Sequence, residues 1–436
     1  MISDMARVFR WRRTFRFRRL QTNRHWQALT SYDRNVYLLL LYTLGKGLQL
    51  SIGAVTINLY ALSLGFKSDF IGVLTGMPAL GAFLAGVPVG MLADRIGRRP
   101  LILSSAVLTP FTLIAIALSA NGPLLLGASF LNGLLATAYW ATNLPMITES
   151  TTEEQRVNAI AMNSFLLLGV GALGSFIGGQ VPEIAGHLTH LPAASVIPMR
   201  WGVLAAAIVA GVPALPLVLL RESRRPTTPV ATEATEQEAH PSSSAPAKIG
   251  RWAMMSLFVM LLLPDVIFTT GESSVIGLLQ VFFRLRFALQ PGTLGNILLL
   301  TGLVGGTTAL IAPRFVRRWG KLRMVTSVQM LSVPAILAIG FAPFAALSVA
   351  AELVRSILRG LFEPIYATFA MESVPSQRRA TLAGFYGLTW GIGYSVGASV
   401  AGFLQLHIGL SAPFVVGAIC LTIAPTLLLL FFGKKK

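Results

Sequence analysis

The 436-residue sequence has few of the residues from which disulfide frameworks and metal sites are built. Its one cysteine, Cys420, lies inside an apolar run and excludes an intrachain disulfide. The five histidines are scattered, without the spacing that zinc or copper sites require. We therefore predict no structural metal, and nothing in the sequence indicates a cofactor.

Charged residues are also scarce: they make up 12% of the chain, whereas hydrophobic residues make up 54%. A water-soluble fold of this length does not bury so much apolar side chain, which predicts a membrane protein. The formal net charge of +18 does not indicate nucleic-acid binding, because the basic residues separate long apolar runs instead of forming one face.

The apolar runs predict an all-α polytopic membrane protein with twelve transmembrane helices, since one helix needs about 20 apolar residues to cross a bilayer. They lack the alternation that is typical of barrel strands. The predicted spans are residues 36–60, 70–93, 100–120, 123–148, 159–182, 198–220, 252–276, 293–313, 323–342, 343–371, 381–405 and 409–432.

The basic residues between the spans favour one orientation in the membrane. If the N-terminus is cytoplasmic, the outer loops hold four of them, Lys67, Arg200, Arg284 and Arg286, and nearly all the others lie on the cytoplasmic side. We therefore expect an inner or plasma membrane protein with both termini in the cytoplasm.

Five segments follow from these spans. Residues 35–220 and 251–433 form two six-helix bundles, joined by a flexible linker at 221–250 that is rich in Thr, Pro, Glu, Ala and Ser. A basic tail precedes them at 1–34, and a short basic tail follows at 434–436.

The N-terminal tail interleaves arginine with aromatic residues between positions 7 and 20. This pattern suits the anionic lipids of an inner leaflet, with rings in the interface and guanidinium groups on phosphates. A transit peptide is the alternative, because the tail is rich in arginine and poor in acidic residues.

The two bundles share a repeat at a constant offset of 223 residues, without gaps. The matches are Gly97-Arg98 with Gly320-Lys321, Glu149-Ser150 with Glu372-Ser373, and residues 174–179 with residues 397–402. Three matches in one register indicate duplication, and two parallel six-helix repeats are typical of transporters.

Seven charged residues lie inside predicted spans, where each costs about 2.5–3.5 kcal/mol and therefore indicates a solute pathway or a partner. They are Lys46, Asp265, Glu272, Glu352, Arg355, Arg359 and Glu363. They fall on three spans, the first, seventh and tenth. The alternative role for all seven is static ion pairing between helices.

Helical spacing predicts how the four charges of the tenth span pair. Glu352 and Arg355 are three residues apart, and Arg359 and Glu363 are four apart, so each pair lies on one helix face. We expect these four charges to neutralise one another locally.

The remaining charges are Lys46, Asp265 and Glu272. Lys46 and Asp265 both lie near mid-bilayer, so we expect them to meet across the two bundles. With four acids against three bases, one carboxyl group lacks an obligate partner, and burial favours its protonated form. Glu272 or Asp265 is thus the predicted proton carrier, and Arg355 the predicted contact for an anionic substrate group.

Residues 90–99 read GMLADRIGRR, which resembles the first signature of the major facilitator superfamily, G-x-L-a-D-r-x-G-r-r. The resemblance implies a fold of two pseudo-symmetric six-helix bundles that rock about a central cavity lined by helices 1, 4, 7 and 10. It also implies a cytoplasmic latch that clasps the other half and is formed by Gly90, Asp94, Arg95, Gly97 and Arg98.

The charged residues lie on three of the four helices that this resemblance assigns to the cavity. The fourth helix has polar residues instead, and of these Asn132 and Asn143 are the predicted contributors to the pathway.

Three features depart from the superfamily pattern. The repeat of the latch has Arg317 where Asp94 would recur, so a symmetric latch is not expected. Residues 174–179 resemble the antiporter signature G-P-x-x-G-G with Ser175 in place of proline, and close helix packing is the alternative role for these small residues. The arginine of the second signature is missing from the fourth helix, which weakens any carry-over of a drug–proton antiport mechanism.

We therefore expect a monomeric secondary active transporter that moves a small organic solute by alternating access and is coupled to protons. No nucleophile, base and orienting group come together in the sequence, and no phosphate-binding loop is visible, so we predict no enzyme activity. The alternatives are a lipid or glycolipid flippase on the same fold and a receptor or scaffold that has lost transport.

Overall fold

The computed structural model describes residues 32–221, 251–309, 311, 312, 314, 316, 320–375 and 378–433. The predicted lipid-binding segment, nearly all of the linker, Arg317 and the C-terminal tail lie outside these residues. Twelve long helices follow one another in the described chain: α1 Arg34–Ser63, α2 Ser68–Ile96, α3 Arg98–Leu118, α4 Gly122–Glu149, α5 Glu153–Thr189, α6 Val196–Leu217, α7 Arg251–Ile276 with its continuation Leu279–Phe287, α8 Pro291–Ala309, α9 Lys321–Phe341, α10 Ala345–Glu372, α11 Arg379–His407 and α12 Ala412–Phe432.

Each predicted span coincides with one of these helices, which confirms the all-helical fold. Within the described ranges, nine helical segments are long and apolar enough to cross a membrane by composition alone. The three others are α8, α10 and α11. Four charges interrupt α10, while α8 and α11 are rich in glycine and small polar residues. These polar helices are positioned by the apolar helices that pack against them.

Among the described residues, most contacts between helices lie within α1–α6 or within α7–α12, which we call the first and the second group. The groups meet extensively along two seams, where α2 packs on α11 and α5 packs on α8. At both seams, glycine residues let the helix backbones approach closely. A Cβ atom on Gly72 would lie 2.8 Å from the Cα of Gly402, and one on Gly179 would lie 2.9 Å from the Cα of Gly295. The two glycine pairs are related by the same 223-residue offset as the repeat.

The turn before α3 and the turn before α9 are also equivalent in the repeat. Gly97 and Gly320 occupy them with φ of 89° and 79°, a backbone conformation that glycine adopts without steric cost. We call the end of the bundle that carries Arg98 and Lys321 the basic face, and the end that carries Ser68 and Pro291 the opposite face.

The two groups share an apolar core near the opposite face. Near the opposite face a single buried cluster includes Tyr60 and Leu113 of the first group together with Phe282 and Phe414 of the second. Towards the basic face the buried clusters belong to one group or the other and do not join. Among the described residues, the apolar core is therefore continuous between the groups near the opposite face and divided between them towards the basic face.

Polar contacts also cross between the groups near the opposite face. The side-chain amide of Asn58 in α1 donates to the carbonyl of Gly277 at 3.0 Å, and the Gln280 amide donates to the carbonyl of Ala54. Beside the α5–α8 seam, the Glu183 carboxylate accepts the backbone N–H of Gly292 at 3.0 Å.

Candidate functional site

A cavity is lined by side chains of α7, α10 and α11. Four of its lining residues are ionisable: Asp265, Glu272, Arg359 and Glu363. Five are aromatic: Phe268, Phe362, Tyr386, Trp390 and Tyr394. The cavity thus brings together four of the six charges predicted on helices 7 and 10 and combines them with an aromatic wall from α11.

Arg355 is the centre of a buried ion cluster between α7 and α10. Its Nε and Nη2 atoms donate to the two carboxylate oxygens of Glu352 at 2.7 and 2.6 Å, and its Nη1 donates to Glu272. Arg359 lies 3.6 Å from the same Glu272 oxygen. Two acids and two bases therefore neutralise one another, as a buried charge cluster requires.

The predicted pairing within α10 is half right. Glu352 and Arg355 pair as expected, but Arg359 pairs with Glu272 of α7 and not with Glu363. Arg355 is also not open to an anionic substrate, because its side chain is 5% exposed and two carboxylates occupy its guanidinium group. The long arginine side chains of α10 reach across to Glu272 of α7.

Asp265 has a different environment from Glu272. Its side chain is buried, and its Oδ2 atom accepts the hydroxyl of Thr389 at 2.6 Å. The Tyr386 hydroxyl lies beside the same carboxylate. None of the ion pairs among the described residues includes Asp265. Its partners are thus neutral hydroxyl groups of α11, and no cation balances it.

The expected ion pair between Lys46 and Asp265 is not formed in this structure. Lys46 is 2% exposed, and its Nζ atom has no hydrogen-bond partner among the described residues. Asp265 instead accepts a hydrogen bond from Thr389 of α11, within its own group. Lys46 is thus a buried basic side chain with no ion-pair partner among the described residues.

Both predicted asparagines of α4 belong to polar networks inside the first group. Asn143 donates to the Oδ1 atom of Asn163 at 2.9 Å, and Thr43 donates to the same oxygen at 2.7 Å. Asn132 donates to the hydroxyl of Thr112 at 2.8 Å. They connect α1, α3, α4 and α5 and do not line the cavity described above.

The 223-residue offset relates the ion cluster to a neutral counterpart in the first group. Gln49 occupies the position of Glu272, Ser129 that of Glu352, and Asn132 that of Arg355. The side-chain oxygens of Gln49 and Ser129 are buried and have no hydrogen-bond partner among the described residues. At these equivalent positions, the second group thus has charged side chains where the first group has neutral polar ones.

The aromatic wall of α11 was missed by a search for charged residues. Tyr386, Trp390 and Tyr394 lie at successive intervals of four residues, which places them on one helix face. The rings of Trp390 and Tyr394 are stacked, with centroids 5.3 Å apart and planes at 29°. This spacing is the signal that would have identified them.

Arg98 of the predicted latch is held within its own half. It pairs with Glu149 of α4, and at the equivalent positions Lys321 pairs with Glu372 of α10. Both ion pairs bring together two of the three sequence matches that revealed the repeat.

The other latch residues lie in the same region of the basic face. Asp94 and Gly97 line a small polar pocket with Arg98 and Glu149. Arg95 is exposed, and Gly90 has open space around it. The pocket is lined by residues of the first group together with Arg221, the first residue of the predicted linker.

Comparison with known proteins agrees with this architecture. Residues 38–398 and 266–436 match the family model described as Major Facilitator Superfamily. The chain belongs to the major facilitator superfamily. Membership makes it an integral membrane transport protein and not an enzyme.

Three proteins similar to this chain share less than a quarter of their aligned residues with it. The multidrug resistance protein MdtL of Escherichia coli O157:H7 is 23% identical over 379 residues, which cover 86% of this chain and 88% of that protein. The crystal structure of a D-xylose–proton symporter aligns with a TM-score of 0.70 at 14% identity, over 90% of this chain and 96% of that one. The crystal structure of the nucleoside transporter NupG aligns with a TM-score of 0.67 at 14% identity, over 93% of this chain and 100% of that one. These structural likenesses show the shared fold.

Proposed function

We propose that this superfamily member is a secondary active transporter that couples movement of a small organic solute to protons, with Asp265 as the proton-binding group. The basic face is taken as the cytoplasmic face, in accordance with the distribution of Lys and Arg in the loops. With this orientation, an apolar core that is shared only near the opposite face supports an inward-facing state of an alternating-access cycle.

The observation that carries the proposal is the contrast between two acids on α7. Glu272 is neutralised by Arg355 and Arg359, so its protonation would leave an arginine unbalanced in the interior. Asp265 is buried in contact with neutral groups only. A proton on Asp265 removes an uncompensated charge from the membrane interior and therefore favours reorientation of the empty or loaded carrier.

The groups that face Asp265 come from two neighbouring helices. Thr389 and Tyr386 approach from α11, and Tyr366 approaches from α10 with its hydroxyl donating to the carbonyl of Leu261. All three are neutral at physiological pH. The charge of Asp265 is thus set by exchange with protons and not by an ion-pair partner.

The test is transport by Asp265→Asn in liposomes, with Asp69→Asn on the opposite face as the matched control. A panel of radiolabelled organic solutes is offered with and without an imposed pH gradient, and exchange at equal pH is measured in parallel. We expect the Asp265 variant to lose pH-driven accumulation but to keep solute exchange, because the binding cavity stays intact. Undiminished pH-driven accumulation in the Asp265 variant would refute the proton role.

The same liposome assays distinguish two alternative functions. Movement of a labelled lipid, with no flux of any soluble solute, would indicate a flippase. Solute binding without any flux would indicate a receptor.

A further inference from the structure

We infer that the cavity binds organic cations that carry an aromatic group, with Glu363 as the charge-selecting residue and Trp390 with Tyr394 as the stacking surface. The inference rests on the proposed function, since it names the class of solute that the carrier moves. It is argued from the balance of charge in the cavity and from the geometry of its aromatic wall.

The cavity has an excess of negative charge once its ion pairs are taken into account. Glu272 is balanced by the two arginines of α10. Asp265 and Glu363 belong to none of the ion pairs among the described residues. Glu363 is exposed, so it presents a hydrated carboxylate where a solute enters.

For an anionic solute, the lining of this cavity offers no basic side chain that lacks a carboxylate partner. Arg355 is closed off by Glu272 and Glu352. Arg359 is the one basic residue in the lining of this cavity; its side chain is 39% exposed, yet it lies 3.6 Å from Glu272. An anion would have to displace a carboxylate from Arg359 while facing Asp265 and Glu363, so like charges oppose its entry.

The aromatic residues favour a cation with a flat or bulky apolar part. Trp390 and Tyr394 offer a stacked pair of rings from α11, and Phe362 faces the same cavity from α10 beside Glu363. A cation over an aromatic face gains about 0.5–2 kcal/mol, and more apolar contact is gained by a solute with rings of its own. The carboxylate thus selects solutes with a positive charge, and the ring surfaces select solutes with an aromatic group.

The proposal is tested by equilibrium binding to the purified full chain in detergent at one fixed pH. The probes are methyltriphenylphosphonium, the neutral triphenylphosphine oxide of similar shape, and tetramethylammonium, which has the charge without the rings. We expect methyltriphenylphosphonium to bind and each of the other two to bind at least about tenfold more weakly, a difference of about 1.4 kcal/mol.

Two variants show whether the binding site is the one described. Glu363→Gln is expected to weaken methyltriphenylphosphonium binding by about tenfold or more, which is about 1.4 kcal/mol, while leaving triphenylphosphine oxide unchanged. Trp390→Leu is expected to weaken both aromatic probes. Glu153→Gln, which removes an exposed carboxylate at the start of α5, is the matched control and should bind all probes as the natural chain does.

The inference is overturned if the neutral probe binds as tightly as the cation, if no probe binds, or if Glu363→Gln leaves cation binding intact. Because binding is measured without a proton gradient, this failure is distinct from failure of the proposed function. pH-driven transport of a neutral or anionic solute would overturn the substrate class and leave proton coupling in place.

Discussion

Arg355 illustrates how a single residue organises the polar interior. Its guanidinium group is planar and donates in fixed directions, so it binds Glu352 with two hydrogen bonds on its own helix and reaches Glu272 across to α7. Removing it leaves two buried carboxylates with little compensation.

Arg355→Leu is therefore expected to lower stability by about 3–5 kcal/mol, the usual cost of breaking a buried ion pair. Arg359→Leu is the matched control on the same helix, and its effect should be smaller because its side chain is 39% exposed and lies 3.6 Å from Glu272. Thermal unfolding in detergent micelles measures both. Equal losses, or an unchanged midpoint for Arg355→Leu, would contradict this description of the cluster.

At the residue scale, the sequence predicts the positions of charges better than their partners. The cost of placing a charge in hydrocarbon identified Lys46, Asp265 and the acid and arginine residues of α10 without any structure. Pairing depends on how α7 and α10 are rotated and on side-chain reach, which spacing along one helix does not contain. This is why Arg359 was assigned to Glu363 although it lies against Glu272.

At the scale of helices, close contact depends on glycine at the two seams. In α8, a Cβ atom on Gly295 would meet the carbonyl oxygen of Ser175 at 2.5 Å and the Cα of Gly179 at 2.8 Å, whereas one on Gly306 would meet nothing within 4 Å. The two positions thus form a matched pair on one helix.

Gly295→Leu is expected to destabilise the protein by about 1–3 kcal/mol, the usual cost of overpacking, and to slow transport because α5 and α8 are pushed apart. Gly306→Leu should have little effect on either property. Unfolding in detergent and flux in liposomes are the measurements. If both variants behave alike, the seam does not depend on close backbone approach.

The extent of the helices was predicted well where apolar runs end in turn residues, as at Gly97 before α3. It was predicted less well in α5 and α7. Hydrophobicity along the sequence does not reveal two features of these helices. They are the π-helical stretch Phe165–Val170 inside α5 and the break between Ile276 and Leu279 in α7. Both depend on contacts with neighbouring helices, such as the packing of Gly47 against Leu167.

At the scale of the whole molecule, the repeat accounts for the symmetry of the fold, and the differences between its two copies account for the asymmetric ion cluster. The 223-residue offset relates the glycine pairs of the seams and the ion pairs of the basic face, which are structural features kept in both halves. The ionic cluster has no such symmetry, because Gln49, Ser129 and Asn132 replace its charges in the first half. The symmetric seams and the asymmetric ion cluster thus belong to different parts of the same repeat.

Alternating access is the central claim, and distances between spin labels test it most directly. In a chain with Cys420→Ser, one label pair is placed at Thr152 and Arg378 on the basic face, and another at Leu188 and Ile408 on the opposite face. Lowering the pH and adding methyltriphenylphosphonium should populate a second state in which the first distance shortens while the second lengthens. Distances that stay fixed at both faces, or that change in the same direction, would contradict a carrier that opens to each side in turn.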